Sequence, residues 1–238
     1  MNNQTVFERY ELKYLLTAAQ RDALLASLGE RLVPDRFGHS TVCSVYYDTP
    51  DYYLIRRSLE KPAYKEKLRL RTYGVGAPSA FVELKKKYQG VVYKRRIALP
   101  TAAAVAYLNR QAEAGGGQIG RELDYFLASH PRLGPRVALF YERDAFYGAE
   151  EANLRLTFDE NIRWRAENLS LTTSSAGRLL LAEGQVLLEV KTAASLPLWV
   201  THQLTQLGLY PTSFSKYGTA YADGIQSFRR NAYAGANF

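Results

Sequence analysis

The segment Lys65-Glu-Lys-Leu-Arg-Leu-Arg-Thr-Tyr73 carries a basic residue at every second position from 65 to 71. Side chains of a β-strand point alternately to opposite faces of the sheet, so this segment predicts a strand with one basic face. Leu68 and Leu70 share the other face. The ordinary explanation of such a strand is a charged face in water and an apolar face against the core.

Four further segments show the same alternation. The charged or polar residues that share a face are Glu83, Lys85 and Lys87; Lys94 and Arg96; Arg155, Thr157 and Asp159; and Glu189 and Lys191. Five such strands favour a second interpretation, in which the sheet closes into a barrel and the charged faces point inward. Like charges repel at short range, so such a lumen requires a bound polyanion. The carboxylates Glu11, Glu83 and Glu189 would then hold a divalent metal that bridges phosphate oxygens.

The rest of the pattern predicts an α+β fold, a closed antiparallel β-barrel with helices packed outside, formed as one domain over residues 1–238. We expect strands at 41–47, 65–73, 81–87, 91–99, 136–146, 154–159, 178–181 and 186–192, and helices at 17–28, 101–111, 121–129, 198–207 and 216–232. The capping box Thr17-Ala-Ala-Gln20 begins the first helix. The strands at 81–87 and 91–99 flank Gln89-Gly90, which indicates a hairpin.

The composition limits the partners of the chain. Lys and Arg number 31 against 23 Asp and Glu, which gives a formal net charge of +8. This excess points to an anionic partner: nucleic acid, a membrane surface or a phosphorylated small molecule. Cys43 is the only cysteine, so an internal disulfide and a cysteine-based zinc site are excluded. No apolar run is long enough to cross a bilayer, so we expect a cytoplasmic protein without a membrane span in this chain.

Several common functional motifs are absent from the sequence. It contains neither a phosphate-binding GxxxxGK[ST] loop nor a GxGxxG fingerprint, so side chains must hold any nucleotide. No GxSxG nucleophile motif is present. The histidines His39, His130 and His202 match no metal-binding spacing. Without a helix-turn-helix or RNP-like signature, we do not expect nucleic-acid binding, although a basic outer surface would favour it.

Eight short stretches, in this order, resemble one known family. They are Phe7-Glu-Arg-Tyr-Glu-Leu-Lys-Tyr14, Val45-Tyr-Tyr-Asp-Thr-Pro50, Lys67-Leu-Arg-Leu-Arg-Thr-Tyr-Gly74, Phe81-Val-Glu-Leu-Lys85, Tyr141-Glu-Arg-Asp-Ala-Phe146, Leu154-Arg-Leu-Thr-Phe-Asp159, Leu187-Leu-Glu-Val-Lys191 and Ser213-Phe-Ser-Lys-Tyr217. Together they cover almost the whole chain. They resemble the VTC-type polyphosphate polymerase domain, a branch of the CYTH, or triphosphate tunnel, superfamily.

The resemblance implies a closed antiparallel barrel whose basic interior binds phosphates. Matched by position, the phosphate-holding residues are Lys13, Arg69, Arg71, Lys85, Lys94, Arg143, Arg155 and Lys216, with Lys191 and Arg96 as further candidates. Among these, Lys13, Arg69, Arg71, Arg143 and Arg155 are the expected catalytic residues. Glu189 matches the metal-binding glutamate of the family, with Glu83 and Glu11 as weaker candidates for Mn²⁺ or Mg²⁺.

The chain departs from the family pattern at two positions. Arg9 stands where the superfamily signature ExExK has its first acid, which favours the VTC branch over the triphosphatases. Ser213 stands where polymerases of the family can carry a further lysine, which counts against efficient handling of a growing chain.

The resemblance implies an enzyme that transfers the γ-phosphoryl group of ATP to a polyphosphate chain. A tripolyphosphatase or nucleoside triphosphatase would use the same site for attack by water. A non-catalytic module that binds polyphosphate or inositol phosphates is a further alternative, and so is a nucleic-acid binder. A VTC-type domain can also belong to a membrane complex, so a membrane partner subunit stays open.

Overall fold

The computed structural model describes residues 6–7, 10–89, 91–113, 115, 117–151, 153–193 and 195–225. Its strands are β1 (Val6–Phe7), β2 (Tyr10–Thr17), β3 (Leu32–Asp48), β4 (Tyr64–Tyr73), β5 (Ser79–Tyr88), β6 (Val91–Pro100), β7 (Gly134–Gly148), β8 (Arg155–Arg165), β9 (Arg178–Leu179) and β10 (Gln185–Thr192). Its α-helices are α1 (Ala18–Leu28), α2 (Tyr53–Leu59), α3 (Thr101–Leu108), α4 (Gln118–Ser129), α5 (Leu198–Gln206) and α6 (Lys216–Thr219). A 3₁₀ turn covers Gly29–Arg31, and a π-helix, Ala220–Ile225, continues α6.

The strands form one large antiparallel sheet in the order β1-β6-β5-β4-β3-β7-β8-β10-β2, with β9 paired to β8. In a flat sheet, β5 and β2 would lie about 29 Å apart, because six strand intervals of roughly 4.8 Å separate them. Instead, Glu11 Oε2 on β2 lies 3.7 Å from Lys85 Nζ on β5. The sheet therefore curls until its far strands face each other across an interior.

The expected barrel is confirmed in part. The α+β class and the large antiparallel sheet are present, but among the described residues no hydrogen-bonded pairing joins β1 to β2, the two ends of the strand order. Closure by hydrogen bonds is therefore not found. We call the interior of the curled sheet the lumen, and its lining the inner face.

Two apolar layers cover the outer face of the sheet. Leu68, Leu70 and Leu84 pack with α3 and α4, and Leu156, Phe158 and other residues of β8, β10 and β2 pack with α1 and α5. These residues alternate with the charged residues predicted from the sequence, so the apolar side of each strand is the one that faces the helices.

A third apolar cluster lies on the inner face. It joins Tyr46, Leu139 and Leu187 of the sheet to Tyr217 of α6 and Ile225 of the π-helix. The C-terminal segment therefore packs inside the curled sheet and, with Ile55 of α2, covers part of its inner face, whereas α1, α3, α4 and α5 pack outside.

Most predicted elements are confirmed, with shifted ends. Thr17 caps α1 through the predicted capping box with Gln20, and the hairpin of β5 and β6 is present. The sequence pattern did not predict β1, β2 or most of α2. The predicted helix 216–232 is a short α-turn that becomes a π-helix, and positions 226–232 lie outside the described residues, as do Arg9 and Gly90. Within the described residues, no helix combines the length and apolar character that crossing a membrane would require.

Candidate functional site

Basic side chains line the lumen on seven strands: β2, β4, β5, β6, β7, β8 and β10. On β4, Lys65, Lys67, Arg69 and Arg71 share the inner face, while Leu68 and Leu70 on the other face belong to the outer apolar layer. Register pairs Lys67 with Lys85 and Arg69 with Glu83 on β5, and Lys85 with Lys94 on β6. The predicted face is therefore continuous from strand to strand, because directly paired residues point to the same side.

Glu83 is the anionic centre of one half of the lumen. Its side chain is 1% exposed, and its two oxygens lie 2.7 Å from Arg69 Nη2, 2.7 Å from Lys94 Nζ and 3.4 Å from Arg96 Nε. Burial alone would raise the pKa of Glu83, but the charges of Arg69, Arg71 and Lys94 outweigh burial and hold it well below its usual range. Glu83 is thus an ionised group enclosed by cations, with both oxygens already engaged.

Glu189 is the anionic centre of the other half. Its carboxylate lies 2.9 Å from Lys191 Nζ, 3.1 Å from Lys216 Nζ, 3.6 Å from Arg143 Nη2 and 3.7 Å from Lys13 Nζ. Burial opposes its ionisation, yet these neighbours hold the pKa of Glu189 well below its usual range. Four of the predicted phosphate-holding residues therefore meet at this single carboxylate.

Asp159 fixes two of those cations. It is fully buried, and its oxygens accept from Arg143 Nε at 2.6 Å and Nη2 at 2.7 Å in a two-pronged pair. Lys216 Nζ lies 2.5 Å from the same carboxylate. Because the buried carboxylate of Asp159 pairs with both cations, Arg143 and Lys216 are pre-positioned on the inner face.

Three lysines face the lumen with too little negative charge around them. Burial, followed by the positive charge of Lys85 and Lys13, lowers the pKa of Lys67 to about 8. Burial also lowers the pKa of Lys85 and of Lys65, with further lowering from the lysines beside them. A bound anion would remove this repulsion, because the ammonium groups would then have a partner.

The predicted metal-binding glutamates are not brought together as one group. Glu83 lies among the arginines of β4 and β6, whereas Glu11 shares Lys13 with Glu189, at 3.3 Å and 3.7 Å. Within the described part of the chain, no three His, Cys, Asp or Glu side chains form a metal-binding arrangement. Glu189 and Glu11 fit a divalent metal only if phosphate oxygens complete its ligands, since hard cations prefer oxygen.

The remaining predicted residues take different positions. Arg71 is buried and donates to Ser44 Oγ and Tyr141 Oη. Arg155 pairs with Asp35 at 2.9 Å and is one-third exposed, so it lies toward an end of the lumen. Both residues share the inner faces of their strands with the other predicted site residues.

Hydrogen bonds and one pair of stacked tyrosines connect the C-terminal segment to the site. Asp48 is completely buried and accepts from the backbone of α2 and from Tyr217 Oη at 2.9 Å. Tyr217 stacks on Tyr46 with ring centroids 4.6 Å apart, and Tyr46 Oη accepts from Arg69 Nη1. These contacts fix both Arg69 and the start of α6, which carries Lys216.

Sequence reasoning did not assign site roles to Asp159, Lys67, Tyr46 and Asp35. The alternation on β4 and β8 already placed Lys67 and Asp159 on charged faces, so the sequence pattern could have identified both as site residues. Tyr46 lies in the family stretch Val45–Pro50, but its contact with Arg69 has no sequence signal, and nothing in the sequence pattern marks Asp35.

Comparisons with known proteins agree with this geometry. The sequence profile described as the VTC domain matches residues 8–223. No curated protein matches the chain by sequence. Among solved structures, a candidate adenylate cyclase of Bacillus halodurans aligns with a TM-score of 0.57 at 15% identity, covering 89% of this chain and 96% of that one.

Two further solved structures share the fold. A candidate adenylate cyclase of Vibrio parahaemolyticus has a TM-score of 0.55 at 13% identity, covering 91% of this chain and 99% of that one. A candidate adenylyl cyclase of Hippeastrum, described as having a dominant triphosphatase activity, has a TM-score of 0.54 at 15% identity. The alignment covers 90% of this chain and 95% of that one. At these identities the likeness concerns the fold. With the profile match over most of its length, the resemblance to the VTC domain inferred from the sequence is confirmed, and the chain belongs to the VTC domain family.

Proposed function

We propose that this chain transfers the γ-phosphoryl group of ATP to the end of a polyphosphate chain held in the lumen. The observation that carries the proposal is the length of the basic row. From Lys65 to Arg71 the inner face of β4 is basic at every inward position, over about 20 Å measured along the strand. Such a row extends beyond the reach of three linked phosphates.

The lysine end of this row supports a longer polyanion. Lys65 and Lys87 are paired directly across β4 and β5, where like charges destabilise a sheet. No carboxylate of the described residues lies within ion-pair distance of either, and Lys65 Nζ donates only to the backbone oxygen of Ser58 at 3.4 Å. A polyphosphate chain leaving the lumen between these lysines would supply the missing charge.

The chemistry requires positioning and charge stabilisation rather than covalent help from the protein. The bond between the β,γ-bridging oxygen and the γ-phosphorus breaks, a bond from the terminal oxygen of the chain forms, and ADP leaves. The attacking oxygen is already anionic, so no general base is needed. Arg69 and Arg143, which Glu83 and Asp159 hold in place, would add positive charge beside the phosphate oxygens, while Lys216 and Lys13 neutralise the charge near Glu189.

A divalent ion, Mn²⁺ or Mg²⁺, is part of the proposal. Bound by Glu189 and Glu11 together with phosphate oxygens, it would neutralise charge that develops on the transferring group. The two carboxylates are suited to this because both are ionised at neutral pH. Burial raises the pKa of Glu11, but the surrounding lysines, Lys85 foremost, outweigh burial and lower it to about 2. The cations around Glu189 likewise hold its pKa well below the usual range. Glu83 is not part of the proposed metal site, because its oxygens pair with Arg69 and Lys94.

A triphosphatase is the second candidate. It is favoured by the C-terminal segment, which packs into the curled sheet and covers part of the inner face near Lys67, whose Nζ donates to Ser215 Oγ at 3.0 Å. A lumen that is restricted at this side suits a short substrate attacked by water. The dominant triphosphatase activity described for the Hippeastrum protein is in line with this alternative.

The deciding experiment incubates the protein with ATP and Mn²⁺, resolves the products on a gel stained for polyphosphate, and measures free phosphate in parallel. A ladder of polymer with ADP would establish the polymerase. Free phosphate without polymer would establish the hydrolase, and neither product would favour a binding module for polyphosphate or inositol phosphates.

A double variant examines the lysine end directly. If a polymer leaves the lumen there, Lys65→Gln with Lys87→Gln should shorten the product chains while ADP release at saturating ATP changes little. Lys86, on the outer face and paired with Glu66 at 3.7 Å, offers the matched control Lys86→Gln. Unchanged chain lengths in the double variant would argue against this exit.

A further inference from the structure

The inner face changes character at one end of the lumen. On β4 the basic row ends in Tyr73, two residues beyond Arg71, and on β5 the inward residue beyond Glu83 is Phe81. Because residues two apart on a strand share a face, both aromatic rings continue the rows that carry the charged groups. The opposite end of the same two strands carries Lys65 instead.

The two rings and one arginine form an open aromatic group. Tyr73 and Phe81 contact edge to face, with centroids 5.9 Å apart and planes at 77°. The guanidinium of Arg96 lies over the ring of Phe81, with Cζ 3.4 Å from its centroid. Tyr73 is 45% exposed and the Arg96 side chain 36% exposed. Neither ring belongs to any of the three apolar clusters found among the described residues.

The group adjoins the phosphate-holding residues. Arg96 Nε lies 3.4 Å from Glu83 Oε1, and Glu83 in turn holds Arg69 and Lys94. A ligand that reaches from Phe81 to Arg69 would therefore pass from an aromatic surface to a strongly basic one, because only the carboxylate of Glu83 separates Arg96 from Arg69. A nucleoside triphosphate has this succession of a flat ring system and a charged tail.

We propose that Tyr73, Phe81 and Arg96 form a nucleobase-stacking site at this end of the lumen, which seats the base of ATP while its phosphates extend toward Arg69 and Glu189. The proposal rests on the proposed function, since it takes a nucleotide as the phosphoryl donor. It assigns Arg96, a predicted phosphate ligand, to the base: the guanidinium face turned away from Phe81 stacks on the ring.

The site also gives the lumen a direction. The nucleoside lies at the aromatic end and the polyphosphate chain at the lysine end near Lys65. Stacking depends on overlapping area and tolerates any base, so purine nucleotides should bind more tightly than pyrimidine nucleotides without a strict preference for adenine.

The test compares ATP, UTP and inorganic tripolyphosphate by titration calorimetry in Mg²⁺ buffer, with wild-type protein and the variants Tyr73→Leu and Phe81→Leu. Leucine retains apolar bulk and removes the flat ring. Stacking on an aromatic side chain is typically worth enough that each variant should weaken ATP binding about tenfold. Tripolyphosphate binding should change less than about twofold, because this ligand has no base to stack.

Tyr125 supplies the matched control, since it is 74% exposed on α4 and faces away from the lumen. Tyr125→Leu should leave all three ligands unaffected. Equal weakening of ATP binding and tripolyphosphate binding in the variants would overturn the stacking site and leave a phosphate-binding lumen intact. Failure of wild-type protein to bind tripolyphosphate at all would overturn the proposed function as well.

Discussion

We expect ligand binding to be accompanied by a measurable uptake of protons by two lysines of the lumen. Lys67 and Lys94 each have a pKa of about 8, chiefly because burial disfavours their charged form. At pH 8 each is therefore about half protonated. Phosphate oxygens stabilise an ammonium group, so a bound phosphate chain should raise both pKa values and protonate both lysines fully. Binding at pH 8 should therefore transfer about one proton from the solvent to these two lysines, roughly half a proton to each.

The sign of the pH dependence follows from this difference. The bound state holds more protons than the free state, so the affinity for tripolyphosphate should fall as the pH rises. At pH 6 both lysines are almost fully protonated with or without ligand, so they should take up almost no protons on binding. At pH 9, the contribution of these two lysines should approach about two protons, because both are then mostly neutral in the free protein.

The assay is titration calorimetry with tripolyphosphate at pH 6, 8 and 9, in pairs of buffers that differ in ionisation enthalpy. The informative variant is Lys94→Arg, because arginine stays charged throughout this range and can keep the ion pair with Glu83. Protons that belong to the ligand enter both titrations equally and cancel in the difference. At pH 8 the variant should take up about half a proton less than the wild type.

Lys86→Arg is the matched control, since Lys86 lies on the outer face and pairs with Glu66. It should reproduce the wild-type proton uptake. Equal uptake by wild type and Lys94→Arg at pH 8 would refute the reasoning that Lys94 is partly neutral before the ligand binds.

Three further predictions concern single carboxylates and the C-terminal segment. Glu189→Gln should abolish metal-dependent turnover. When a chelator removes the metal, the variant should bind tripolyphosphate as tightly as the wild type or more tightly, because the substitution removes a negative charge from the lumen. Full activity in a phosphate-release assay would exclude Glu189 from the site. Asp159→Asn leaves the buried cations Arg143 and Lys216 without their principal partner, so urea unfolding should show a loss of about 3–5 kcal/mol, and an unchanged midpoint would contradict this role. Tyr217→Phe removes a hydrogen bond to the buried carboxylate of Asp48 and should cost about 1.5–3 kcal/mol of unfolding free energy; a loss below about 0.5 kcal/mol in urea unfolding would show that Asp48 is satisfied by the α2 backbone alone.

The sequence predicted the faces of the strands because a strand alternates its side chains with a period of two. The position of Lys67 and Arg69 on one face of β4, opposite Leu68, needs no information beyond the pleat. The capping box at Thr17 is also local, since its partners lie three residues apart, and α1 begins where predicted. Motif order along the chain identified the family.

Strand β2 shows where such reasoning fell short. Glu11 and Lys13 alternate with Leu12 and Tyr14 in the same way as the predicted strands, yet the run is short and leads directly into α1. Its strand character depends on pairing with β10, whose register places Lys13 opposite Glu189. The local alternation does not reveal this partner, because β10 lies far along the chain.

The sequence by itself determined which residues of this protein are charged, which of them share a strand face, and which family the chain belongs to. Only the tertiary structure decided that Glu83 and Glu189 occupy separate clusters, that Asp159 holds Arg143 and Lys216, and that α6 packs into the inside of the sheet. The physical reason is that alternation fixes a direction for each side chain, whereas ion pairing depends on distance. Distances between strands are set by sheet order and curvature, which are properties of the whole chain.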